Sequence, residues 1–212
     1  MKNNIIEKCD LKPIWIYFIG IFCLASFLII VFTIVGLNED YINLTQIISE
    51  GLVFFIFIII YRERLRNDFK RLNIKNILLI IISSIILIFF NNILSTIFEK
   101  LNVNMNNQDT LTNLFINYKI ITSLLIVLFG PLVEEMVFRY SFKTFIKNDI
   151  LYLIISSLAF GIMHGVSVAT ILYFLLGLGI GLVYLKTNKN IVASTSVHML
   201  NNLVALIQML LI

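Results

Sequence analysis

The chain has 212 residues, of which 59% are hydrophobic and only 13% charged, with a net charge of +4. That charged fraction is about half the ~25% of a soluble domain. With a mean hydropathy of +0.98, the chain carries more apolar surface than a soluble globule of this size can hide, which excludes a soluble enzyme and a disordered chain.

The apolar runs are continuous rather than alternating, which argues against a membrane β-barrel. They predict an all-α fold: a polytopic helical membrane bundle of about seven transmembrane helices. Lys2, Lys8 and Lys12 precede or border the first span, residues 14–37. This run is too long for the apolar stretch of a signal peptide and lacks a small-x-small cleavage site, so it reads as a span and not a cleaved leader. Cys9 and Cys23 show no CxxC or zinc-knuckle spacing, and no disulfide is expected. A short loop with Glu39 and Asp40 leads to the second span, 44–61, which holds Glu50. The stretch YRERLRNDFKRLNIK that follows carries Arg62, Arg64, Arg66, Lys70, Arg71 and Lys75 and reads as a cationic loop.

The third span is 74–98, and the asparagine-rich stretch 99–117 is expected to be an external loop. The fourth, 118–145, contains Gly130-Pro131, which predicts a kink or break. Residues 150–185 form one long apolar run, divided at 165–167 into spans 150–168 and 169–185 because a single helix would be much longer than a bilayer needs. The last span is 191–212. Lys143, Lys147, Lys186 and Lys189 fall in alternate connections together with the 62–75 cluster. This places the N-terminus in the cytoplasm and the C-terminus outside. The positive charge is therefore topological, with anionic lipid as a further contact and no nucleic-acid partner. Gly161 with Gly165 and Gly177 with Gly181 make two GxxxG pairs, expected to allow close helix contact.

The informative residues are the polar ones at membrane depth, where each ionisable group costs about 2.5–3.5 kcal/mol on the insertion scale. They are Glu134, Glu135, Arg139, His164 and His198, which include both histidines, with Glu50 as a sixth. In EEMVFR, Glu135 and Arg139 are four apart with the acid first, the favourable order for a helical ion pair. Glu134, turned about 100° away, is left free toward the bundle interior, and pairing one carboxylate but not its neighbour separates their acidities. Ion-pair glue between helices is the competing reading. His164 lies in FGIMH one turn after Phe160. His198 lies in HMLNN with Asn202 one turn later on its face, while Asn201 points elsewhere. Each of these by itself also reads as a hydrogen-bonded core group. Together, a free glutamate, two histidines and an asparagine are the parts for activating water and holding an oxyanion.

A serine nucleophile has little support. Ser194, Thr195 and Ser196 precede His198, but no orienting acid is near them and the spans hold no aspartate. Glu134, His164 and His198 are the residues that would bind Zn²⁺ with an open fourth position. No HExxH helix exists, however, and glutamate with histidine also activates water without a metal, so the residues alone leave the question open.

EEMVFR, FGIMH and HMLNN match, in order, the EExxxR, FxxxH and HxxxN motifs of the CPBP family of intramembrane proteases (the Abi, or CAAX-protease and bacteriocin-processing, family), which the chain resembles over roughly 117–212. The resemblance implies a division into 1–116, an N-terminal tail and three spans, and 117–212, a catalytic helical core. It implies Glu134 as general base with His164 holding the water, His198 and Asn202 as oxyanion stabilisers, and Glu135, Arg139 and Phe160 as supporting residues. It favours a glutamate-dependent peptidase with no tightly bound cofactor, zinc remaining an alternative. The expected partners are the bilayer and a hydrophobic or lipidated peptide or protein substrate. The abundance of Ile, Asn and Lys points to an AT-rich bacterium, hence to the bacterial plasma membrane. A non-catalytic bacteriocin-immunity or scaffold protein of the same family is the alternative function.

One expectation runs against this reading. On straight helices, Glu134, His164 and His198 differ in depth by about 10 Å, so the reading requires a broken, tilted or shortened helix to bring them together.

Overall fold

The computed structural model describes residues 9–36, 39–100, 118–167 and 170–211, and all the regular structure among them is helical. In chain order the helices are α1 Lys12–Val35, α2 Glu39–Lys70, α3 Ile74–Lys100, α4 Lys119–Phe145, α5 Asp149–Met163, α6 Thr170–Lys186 and α7 Ile191–Leu211. Five contain stretches long and apolar enough to cross a membrane, and α5 and α6 are shorter apolar helices. The all-α membrane bundle expected from hydropathy is thus what the chain forms, with seven helices among the described residues, and the protein is an integral membrane protein. The expected external loop lies outside the described residues except for Glu99 and Lys100, which end α3.

Two boundaries differ from expectation. α2 begins at Glu39 and continues to Lys70, so Glu39 and Asp40 are helical and most of the expected cationic loop is a helical extension beyond the apolar span. A non-helical residue, Tyr61 (φ −105°, ψ 15°), marks the junction. Arginine, glutamate, leucine and lysine are good helix formers, and the extension is anchored by a buried acid. Asp68 Oδ2 accepts from the Ile191 backbone N–H at 2.9 Å and pairs with Arg64 Nε at 3.2 Å, while its Oδ1 meets Arg71. A carboxylate from α2 therefore sits at the N-terminus of α7, where the helix dipole favours negative charge. Asn190 Oδ1 caps the same terminus through Ala193 N–H at 3.0 Å.

The other end of the chain is tied down similarly. Tyr61 and Tyr140 hydroxyls both donate to Asp10 Oδ2 at 3.0 Å, and Ser141 Oγ donates to Asp10 O at 2.6 Å, which fastens the start of α1 to α2 and α4.

α4 and α7 are central, with α2, α3 and α6 packed around α7 and α5 paired with α6 as a helical hairpin. The core joins Val53 and Phe57 of α2, Val133 and Met136 of α4, Phe160 of α5, Ile180 of α6 and Val197 of α7. The outward faces carry Ile30, Ile59, Ile85, Ile86 and Phe89, all exposed and apolar as lipid contact requires. Three of the four GxxxG glycines do permit close packing. A Cβ on Gly161 would meet Thr170 O at 2.9 Å, one on Gly177 would meet Ser157 Cα at 3.2 Å, and one on Gly181 would meet Leu153 Cδ2 at 2.9 Å. Gly165 contributes no such contact. At φ +120° it makes the turn after α5, a backbone region that favours glycine. Cys9 and Cys23 are free and exposed.

Candidate active site

The site is built by irregularities in α4. Two stretches, Leu125–Phe129 and Glu135–Ser141, have the wider π turn, with Gly130–Glu134 as ordinary helix between them. Such widenings are frequent at functional positions. Pro131 explains part of the first. The Gly130 N–H reaches back to Leu125 O, and the Ile126 carbonyl would next look to residue 131, which is a proline without an N–H. Asn202 of α7 fills the gap: its Nδ2 donates to Ile126 O at 2.9 Å. The Gly130-Pro131 irregularity thus joins α4 to the end of the HMLNN motif.

The depth conflict is resolved by the length of α5. Its 15 residues span about 22 Å, less than the ~30 Å hydrocarbon core. His164, the residue that ends it, therefore lies within the bundle. Glu134 Oε2 is 3.9 Å from His164 Nε2 and 3.7 Å from His198 Nε2.

Both rings have their second nitrogen committed. His164 Nδ1 lies 2.9 Å from Phe160 O, and since a carbonyl only accepts, Nδ1 carries the proton. His198 Nδ1 lies 3.2 Å from Glu135 Oε1, again an acceptor. The two Nε2 atoms are thereby directed at Glu134, whose Oε2 is buried and makes no hydrogen bond.

Glu135 and Arg139, both 0% exposed, form the expected pair at 3.1 Å between Oε2 and Nε, close in distance but without hydrogen-bond alignment. Glu135 thus bridges Arg139 and His198, a link the linear spacing of EEMVFR does not reveal. Phe160 is the spacer of the cluster. Its ring lies 4.5 Å from His164, 5.6 Å from His198 and 5.1 Å under the Arg139 guanidinium. Tyr173 of α6 also stacks on His164, at 4.3 Å. Its only sequence signal is a polar-tipped ring in an apolar helix, which is too common to single out.

A cavity of about 290 Å³ opens on this cluster, lined by Tyr17, Gln46, Glu50, Gly130, Glu134 and His164 among others. A Cβ on Gly130 would lie 3.7 Å from Glu50 Oε2 and 3.8 Å from Glu134 Oε1, so the sixth intramembrane ionisable residue faces the same space. Gln46 Nε2 donates to Glu50 Oε1 at 3.3 Å.

Every catalytic and supporting candidate singled out in the sequence therefore falls in one cluster. Glu134, His164 and His198, the three zinc candidates, converge as well, with second-nitrogen partners of the kind metal-bound imidazoles have. Even so, no group of three His, Cys, Asp or Glu among the described residues has the disposition to hold a metal ion.

Residues 116–204 match the family described as Rce1-like, type II CAAX prenyl endopeptidase Rce1-like. All three motifs lie inside that segment, so the family resemblance holds. An uncharacterized protein of Mycoplasma capricolum subsp. capricolum is 33% identical over 142 residues, covering 60% of this chain and 42% of the relative. The chain thus spans less than half the length of that relative. No solved structure matches.

Proposed function

Taking the Rce1-like character of residues 116–204 as the premise, we propose that the protein is an intramembrane endopeptidase. It hydrolyses a peptide bond of a hydrophobic or lipid-modified substrate, with 117–212 as the catalytic core and 1–116 enclosing it. The observation that carries this reading is the convergence of both His Nε2 atoms on the unpartnered Glu134 Oε2 at 3.7 and 3.9 Å.

Water held between Glu134 and His164 gives a proton to Glu134 as its oxygen attacks the scissile carbonyl carbon. His164 Nε2 has no proton to give while its Nδ1 donates to Phe160 O, so it accepts the water's second hydrogen and fixes its direction. The oxyanion forms beside His198. With its Nδ1–H held by Glu135, the doubly protonated ring would turn its Nε2–H toward the developing charge. Asn202 uses one amide hydrogen on Ile126 O and keeps the other for the same oxyanion. Glu134 returns its proton to the leaving amine, which balances the step. Arg139, buried beside Glu135, neutralises its charge. The metal-free scheme needs only the groups already placed.

The N-terminus is assigned to the cytoplasm and the membrane to a bacterial plasma membrane, from the cationic connections and the composition. The test is cleavage of lipid-modified and peptide-pheromone precursors by the purified parent and by Glu134→Ala and His164→Ala. Loss in both variants is expected. Equal cleavage by all three would refute the mechanism, and a folded parent inert on every precursor would favour the non-catalytic immunity or scaffold role. Loss on chelation, restored by zinc, would replace the metal-free scheme.

A further inference from the structure

A second cavity, of about 170 Å³, is lined largely by α3, α6 and α7 and shares Ile126, His164 and Asn202 with the Glu50 cavity. Its lining mixes apolar residues such as Ile88, Leu176 and Leu206 with polar ones, among them Asn91 and Ser95 from α3 and Asn201 from α7, beside His164, His198 and Asn202 of the site. Asn201 is 7% exposed; its Nδ2 donates back to Val197 O at 2.9 Å, and its Oδ1 is buried without a hydrogen-bond partner. A buried acceptor left unpaired is destabilising, and replacing an asparagine here by leucine would remove that cost, so a structural role does not account for it.

The chemistry of the substrate supplies an account. A peptide bond is open to attack only when the segment around it is extended, and an extended segment has no internal hydrogen bonds. At membrane depth, each unsatisfied backbone N–H or C=O costs several kcal/mol. Soluble peptidases answer this with a strand edge, but all the regular structure described in this protein is helical. Only side chains and freed helix carbonyls remain to bind the substrate main chain. Side-chain amides have the donors and acceptors of a peptide group, and asparagines line this cavity on two facing helices.

We propose that this cavity is the subsite for the main chain of the substrate on one side of the scissile bond. Asn201 Oδ1 accepts a substrate N–H, and the Asn91 amide pairs with a substrate peptide group from the opposite wall. The apolar walls take the flanking side chains. Asn201 occupies an unspecified position of HxxxN and Asn91 lies outside the matched segment 116–204, and neither was given a role in the machinery described above. The inference rests on the peptidase reading and extends it to how substrate is held.

The test is binding rather than cleavage. The full-length protein in nanodiscs is titrated with a fluorescein-labelled peptide of leucine and alanine, and with the same peptide N-methylated at one position at a time. N-methylation removes one donor. At one position it is expected to weaken binding by about tenfold, the worth of one buried hydrogen bond. Asn201→Leu should bind the unmethylated peptide about tenfold more weakly and be indifferent to methylation at that position. Asn91→Leu, on a half-buried wall residue, should also weaken binding, with the methylation pattern kept, and serves if Asn201→Leu does not fold.

Unchanged affinity in the folded leucine variants, an unaltered methylation penalty in Asn201→Leu, or absence of peptide binding by the parent would overturn the proposal. A parent that binds with this pattern but cleaves nothing would refute the peptidase reading and leave the subsite standing. An active parent whose Asn201→Leu variant binds unchanged would do the reverse.

Discussion

Glu135 Oε1 lies 3.2 Å from His198 Nδ1, while the other oxygen of the same carboxylate lies 3.1 Å from Arg139 Nε. All three residues are buried. The carboxylate therefore neutralises a permanent cation with one oxygen and orients the His198 ring with the other. Glu135→Gln keeps the shape but removes the charge. Cleavage should fall by up to about 10⁴, the loss seen when an orienting carboxylate behind a catalytic histidine is neutralised. Stability should fall too, by about 3–5 kcal/mol, because Arg139 is left as an uncompensated buried charge. The double variant Glu135→Gln with Arg139→Met should recover much of the Tm but none of the cleavage. Recovery of both would mean that Glu135 acts only as an ion-pair partner.

Glu134 should behave in the opposite way. Its Oε2 has no hydrogen bond and faces two nitrogens that, in the neutral rings, carry lone pairs. Glu134→Gln is expected to lower cleavage by about 10²–10⁴ while leaving Tm equal or higher. Thermal unfolding in detergent alongside a cleavage assay checks both. A large drop in Tm would indicate a structural role.

The bond from Asn202 Nδ2 to Ile126 O, at 2.9 Å, compensates for the missing N–H of Pro131. Asn202→Leu should destabilise by about 1–3 kcal/mol through the orphaned carbonyl. Adding Pro131→Ala supplies an N–H one wide turn away and should restore part of that loss. If the second substitution only adds to the first, the carbonyl was not the source of the cost.

Gly161 lets α5 and α6 approach closely. A Cβ there would meet Thr170 O at 2.9 Å and Phe174 N at 3.2 Å, both backbone atoms. Since backbone cannot rotate aside, Gly161→Ala should move α5, and with it Phe160 and His164. A loss of about 1–3 kcal/mol is expected, together with reduced cleavage in the protein that remains folded. Gly165→Ala should not affect helix packing, since nothing lies within 4 Å; its cost should come from the φ of +120°.

Asp68 is 0% exposed and holds Arg64, Arg71 and the first N–H of α7. Asp68→Ala should lower stability by about 1–3 kcal/mol, chiefly through the lost bond to the Ile191 N–H, since Arg64 and Arg71 can turn to solvent. Hydrogen exchange should rise first in the opening turns of α7, upstream of His198. Uniform loosening across the bundle would argue against a local anchor.

Class, span number and the polar residues that gather at the candidate site were legible in the chain itself, because lipid makes polarity expensive. In α4 to α7, a glutamate or histidine that does not end a helix must have a reason, and the motif spacing puts each on a definite helix face. The Glu135–Arg139 pair was legible because helical geometry alone brings residues four apart together. What lay beyond the sequence depends on where helices stop and how they cross. Hydropathy read 62–70 as a loop, although its charges build a helix anchored through Asp68. It also made α5 too long, which left His164 at the wrong depth. Only the packed structure, with α5 ending at Met163 and α4 widened around Pro131, brings His164 and His198 to Glu134. The Glu135–His198 contact, the Tyr173 stack and the pairing of Asn202 with Ile126 join residues from different helices. No local periodicity encodes them, because they follow from a backbone group or charge on one helix requiring a partner from another.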